Sequence, residues 1–160
     1  MNLPTIPDVL PIPAMSDDEV DQVRRLERAL LSGGAQVELP TSHVLHAGMY
    51  SRTVHIPADI VLTGALIKVA TLLIVSGDAT VFVGSESVRL RGYHVLPASA
   101  GRKQAFIAHA ETALTMLFPT RAQTVEEAET EFTDEANLLL SRQHAEQQTL
   151  TITGEQPCLA

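Results

Sequence analysis

The chain has 160 residues and a formal net charge of −8, with 45% hydrophobic residues, four Phe, two Tyr, no Trp and one Cys. That length suits one domain able to bury about 70% of its unfolded surface. The few aromatics argue for an aliphatic core and against a stacking surface for single-stranded nucleic acid. The lone cysteine, Cys158, excludes an internal disulfide framework and a cysteine-based zinc site.

Residues 1–15 read as an extended arm. Pro4, Pro7, Pro11 and Pro13 block a helix, and Leu3, Ile6, Val9, Leu10 and Ile12 between them make the arm too apolar for an ordinary disordered tail. It is expected to dock on its own domain or on a neighbouring chain. With no basic start and with prolines interrupting any apolar stretch, it is not a signal peptide. Ser16 with Glu19 fits a capping box, so a helix is predicted over 16–33. Its apolar face is Val20, Val23, Leu26 and Leu30, and Gly33-Gly34 stops it.

From Ala35 to about Thr120 the pattern becomes strands, rich in Val, Ile, Thr and Leu. They are cut by turn signals at Pro40-Thr41, Ala47-Gly48, Pro57-Ala58-Asp59, Ser76-Gly77-Asp78, Gly84-Ser85, Arg91-Gly92 and Ala100-Gly101. That rhythm belongs to an all-β sandwich or barrel, predicted over 35–120. Ala79–Val83 and Ser87–Leu90 pair as a hairpin, and Phe106–Leu117 reads as two strands broken near Ala110-Glu111. Ile60–Val75 contains Gly64 and Lys68 and is too short for a membrane span of about 20 residues, so it reads as buried strands. Thr124 with Glu127 fits a second helix cap, and Val125, Ala128, Phe132, Ala136 and Leu139 share one face of an acidic helix predicted over 124–148. Glu127, Glu131 and Glu135 on that helix are expected to face solvent or a basic partner. In the 149–160 tail, TLTIT is expected to add an edge strand or reach a neighbour.

Charge is unevenly spread. Residues 52–121 hold seven basic against four acidic residues, whereas 1–51 hold three against seven and 122–160 one against eight. Acidic flanks disfavour binding to a phosphate backbone and suit contact with the basic middle or a basic partner.

The order of features in VHIPADIVLTG (54–64), SGDATVFV (76–83), VLPASAGRKQAF (95–106) and LFPT (117–120) resembles the small cupins common in phage and prophage genomes. The resemblance covers about residues 41–142. It implies a mainly β, cupin-like jelly-roll barrel with an N-terminal arm and helix and a C-terminal helix. It also implies a metal held by imidazoles and a carboxylate, but the first motif, GALIKVATLLIVSG, has no His, Asp or Glu. The second has Arg102, Lys103 and Gln104 where histidine is expected. His43 and His46 fall on opposite strand faces, and a rebuilt site would need His55, His94 and His109 to converge. No metal or cofactor and no catalytic residue is therefore expected. Arg102 and Lys103 are the anion-binding candidates, with ordinary turn charges as the alternative.

The leading expectation is a non-enzymatic assembly protein. It would be a virion component that decorates a capsid or joins head, tail or fibre parts, located in the virion or host cytoplasm. Its expected partners are further copies of itself and other assembly proteins, with no nucleic acid or membrane. The alternative is a metal-independent binder of a small molecule or sugar, or an isomerase-like enzyme. A metal-dependent dioxygenase or isomerase ranks below both.

Overall fold

A computed structural model describes residues 11–143 and 148–154. Residues 1–10, most of the expected arm, and Cys158 lie outside the described residues. The described end of the arm docks on its own barrel. Ile12 forms a parallel bridge with Ala98 and is almost fully buried, and Met15 N–H donates to Gly101 O at 2.8 Å.

Helix α1 spans Asp17–Gly33. Ser16 Oγ accepts from Glu19 N–H while Glu19 Oε2 accepts from Ser16 N–H at 2.8 Å, so two otherwise orphaned donors are satisfied reciprocally. Val20 and Val23 are buried beneath it. Eight strands follow: β1 Thr41–His46, β2 Met49–Ile56, β3 Val61–Thr63, β4 Thr71–Val83, β5 Glu86–Ala98, β6 Ala105–Ala108, β7 Thr112–Pro119 and, at the end, β8 Gln148–Ile152. They join in the order β3-β6-β4-β7-β2-β1-β8, with β5 on β4. All pairs are antiparallel except β1 with β8. Alternation sets each face: in β7, Thr112, Leu114, Met116 and Phe118 are buried, and the residues between them are partly exposed. The result is mainly β, one eight-stranded sheet curled into a jelly-roll-like half-barrel with helices at its flanks.

Two strands are longer than the sequence pattern predicts. Ser76-Gly77-Asp78 and Arg91-Gly92 are not turns; they sit within β4 and β5, where Gly77 pairs with Gly92. Both glycines have positive φ (146° and 87°), and the two strands bend together there. The sheet thereby curls without breaking the ladder. A Cβ at Gly77 would lie 2.6 Å from Glu111 O.

The acidic helix is also shorter than 124–148. Helix α2 spans Val125–Phe132 and is capped by Thr124 Oγ1, after which Thr133 is extended. A 3-10 turn at Ala136–Leu138 and a short helix α3, Leu140–Gln143, follow. The helix stops because tertiary bonds outbid it: Lys68 N–H donates to Phe132 O, and Glu135 Oε2 accepts from Leu66 N–H. The predicted apolar face is buried nonetheless.

The core divides in two. An aliphatic cluster around Ile56, Leu73, Val75, Val81, Leu96 and Leu114 fills the barrel. A second cluster stacks Tyr50, Phe118 and Phe132 beneath α2. Three of the six Phe and Tyr residues thus meet where helix packs on sheet. Among the described residues no helix is long and apolar enough to cross a membrane.

Candidate functional site

A cavity of about 200 Å³ lies between these clusters. Its walls are apolar, from Leu62, Leu73, Phe106, Leu114 and Met116 on the strands and Phe132 and Leu138–Leu140 on the C-terminal segment. Leu138 is 64% exposed, which places the mouth beside the 3-10 turn. Its polar lining comes from Glu27, Thr41, Arg52, Thr63 and Glu135 together with three consecutive residues, Arg102, Lys103 and Gln104.

Backbone pairing drives these three side chains inward. Gly101, at φ 77°, ends the loop after β5. The chain then runs against 64–67: Gly101 N–H donates to Ile67 O, Ile67 N–H to Arg102 O and Gly64 N–H to Gln104 O, at 2.7–2.8 Å. With its backbone satisfied in this way, the segment sinks into the barrel. Arg102 and Lys103 are each only 2% exposed and Gln104 5%. The expectation of ordinary turn charges is therefore overturned, because the turn lies one residue earlier and the charges lie inside.

The three differ in what they find there. Lys103 Nζ donates to Gly64 O at 2.8 Å and sits 3.2 Å from Glu27 Oε1 of α1 and 3.5 Å from Glu135 Oε2. It is thus neutralised while pinning both flanking segments over the mouth. Burial alone would raise the Glu135 carboxyl, but the Leu66 N–H bond and the Lys103 charge outweigh it and hold the group below its ordinary value. Arg102 donates to Ser99 O and to Thr71 Oγ1 (2.6 Å), and has no carboxylate in ion-pair range among the described residues. Desolvation pulls its pKa down to about 10, so it remains a cation at neutral pH. Gln104 Nε2 is buried and has no hydrogen-bond partner among the described residues. Such a vacancy costs about 1–3 kcal/mol.

A second buried charge cluster adjoins the cavity, and the sequence reading missed it. Glu129, 1% exposed on α2, accepts from Arg52 of β2 (3.2 Å), Ser141 Oγ (2.6 Å) and Arg142 Nε (2.7 Å). The available signal was its spacing: Glu129 falls next to Ala128 on the apolar face, out of step with the solvent-facing Glu127 and Glu131. Glu135, expected to face solvent or a basic partner, is partly buried and pairs with Lys103 and Arg24 of its own chain. Beside this cluster His43 is buried, bonded at Nδ1 to Tyr50 Oη and at Nε2 to Gln148. Desolvation lowers its pKa and raises that of Tyr50.

Among the described residues the other histidines form no common site. His55 and His46 are exposed, His94 Nε2 bonds Arg91 O, and His109 Nε2 bonds Thr80 Oγ1. Among the described residues no group of three or more His, Cys, Asp or Glu is arranged to hold a metal ion. The cavity wall fits a divalent cation poorly on its own chemistry. It offers no imidazole, its carboxylates Glu27 and Glu135 are held by Lys103, and it presents three cationic side chains, Arg52, Arg102 and Lys103.

No family model and no curated protein matches the chain. Solved structures do. A cupin superfamily protein from Desulfitobacterium hafniense is 13% identical with a TM-score of 0.45, over 57% of this chain and 87% of that one. KdgF from a Halomonas species is 16% identical with a TM-score of 0.45, over 56% and 86%. Salicylate 1,2-dioxygenase from Pseudoaminobacter salicylatoxidans is 13% identical with a TM-score of 0.46, over 72% of this chain and 36% of that one.

Proposed function

We propose that the barrel interior binds a small organic molecule without a metal. One observation carries this reading: a largely apolar cavity of about 200 Å³ is lined by Gln104, whose buried Nε2 has no hydrogen-bond partner among the described residues, and by Arg102, a buried guanidinium with no carboxylate in ion-pair range among them. An unsatisfied amide is costly in a core, and an apolar pocket with a few convergent polar groups is the usual form of a ligand site. Thermal-shift screening of metabolites and sugars tests it on the full chain. At least one compound should stabilise the wild type and lose its effect in Leu62→Phe, which fills part of the cavity. The reading fails if no compound stabilises the wild type, or if every hit stabilises the filled variant equally.

A second reading, an assembly protein of the kind found in virions, is favoured by the outer face of the sheet. Cross-strand rows there run Pro97–Leu72–Leu117–Ser51–Val44 and Val95–Ile74–Thr115–Thr53–Ser42, followed by Tyr93, Ser76 and Ala113. None of these positions holds Asp, Glu, Lys or Arg. Leu72, Tyr93, Val95 and Val44 are exposed. In a chain of net charge −8, a sheet face without Asp, Glu, Lys or Arg at these positions is where copies could approach with least repulsion. The phage setting rests on the sequence resemblance alone.

A further inference from the structure

Resting on the reading of the cavity as a small-molecule site, we infer that its ligand is a monocarboxylate with a compact hydrocarbon body, its carboxylate facing Arg102 and Gln104. The charges around the cavity select this class. Lys103 pairs with Glu27 and shares Glu135 with Arg24, and Arg52 and Arg142 share Glu129. Among the described residues Arg102 is the cation lining the cavity that has no carboxylate in ion-pair range, with neutral oxygens around it at Ser99, Val69 and Thr71. A cation without a counter-ion calls for an anionic group. The free donor on Gln104 Nε2 calls for an acceptor, and a carboxylate supplies both charge and acceptor atoms within one planar group.

The apolar part of the wall disfavours more highly charged anions. Inorganic phosphate or a sugar phosphate would bring a second charge and a wide hydration shell against Leu62, Leu73, Phe106, Leu114 and Met116, which offer no hydrogen bonds. Volume sets the size. A cavity of about 150 Å³ holds benzene, so about 200 Å³ holds a ligand of roughly six to nine non-hydrogen atoms. Long-chain fatty acids are too large, and acetate leaves the apolar wall unused.

The test is titration calorimetry of the full chain with hexanoate, hexan-1-ol, inorganic phosphate and palmitate. Hexanoate should bind one-to-one. Gln104→Met keeps the shape but removes the donor; it should weaken hexanoate about tenfold while raising the thermal midpoint of the unliganded protein. Arg102→Lys keeps the charge but loses the fork, and should weaken binding by a similar factor. Because Gln104→Met is expected to be the more stable protein, weaker binding by it cannot be ascribed to misfolding. Hexan-1-ol binding as tightly as hexanoate, or tighter binding of phosphate or palmitate, overturns the carboxylate assignment and leaves the cavity reading standing. The same holds if hexanoate fails while an unrelated compound from the thermal-shift screen binds and is displaced by the Leu62→Phe substitution. If nothing in either set binds, both readings fall.

Discussion

At the scale of single residues, this fold carries more buried charge than its sequence suggests. Glu129 is the clearest case, a carboxylate out of water held by Arg52, Ser141 and Arg142. Removing one partner of a buried pair strands the other. Glu129→Ala is therefore expected to lower stability by about 3 kcal/mol in chemical denaturation, and a loss under about 1 kcal/mol would contradict the role given to this cluster. His43 and Glu135 are the buried or partly buried groups that shape the acid response, beside the surface Asp78 that Arg89 holds below the ordinary carboxylate range. His43 has a folded pKa below its unfolded value, with burial as the main cause. Its contribution is complete above the ordinary histidine value of about 6.5 and declines as pH falls below it. Glu135 also has a lowered pKa, so its contribution is lost at lower pH, below the ordinary glutamate range. Unfolding free energy should fall in two stages on acidification. In His43→Gln the upper stage should flatten, and an unchanged profile would refute the assignment. Arg102 and Lys103 were legible as the charged residues of interest, but their burial was not. A charge next to a glycine turn ordinarily reads as solvated, and the pairing with 64–67 that draws the segment inward is long-range.

At the scale of elements, local signals located the starts better than the ends. The Ser16–Glu19 capping box and the Thr124 cap are short-range chemistry, and α1 and α2 begin where those residues stand. The end of α2 was illegible because Glu135 leaves helical geometry to reach Leu66 and Lys103, contacts the local pattern does not encode. The Gly84-Ser85 hairpin and the break near Ala110-Glu111 were legible for the same short-range reason. Gly77 and Gly92 were misread as turns because glycine marks a turn and a strand bend alike, and only their pairing tells them apart. Gly77→Ala tests the bend: with positive φ and Glu111 O in the way, it should cost about 2 kcal/mol or more. A near-neutral effect by thermal denaturation would show that the bend has other support.

At the scale of the molecule, the jelly-roll class was legible from turn spacing and the order of its motifs, whereas the cavity was not. Inward strand positions look aliphatic, and much of the polar lining of the cavity comes from a three-residue segment between strands. Two surfaces then compete for function, the cavity within and the uncharged sheet face without. Light scattering addresses the second: if copies pair through that face, Leu72→Glu should convert a dimer to a monomer without loss of folding. A wild-type monomer at all concentrations would set the assembly reading aside. The most direct test of the cavity is mass spectrometry of the small molecules released when untagged protein, purified without added ligands, is denatured, with Leu62→Phe treated in parallel. The account predicts an organic molecule of roughly six to nine non-hydrogen atoms that is present in the wild type and depleted in the filled variant. Its recovery in equal amount from both proteins, or a released compound too large for the cavity, would contradict it.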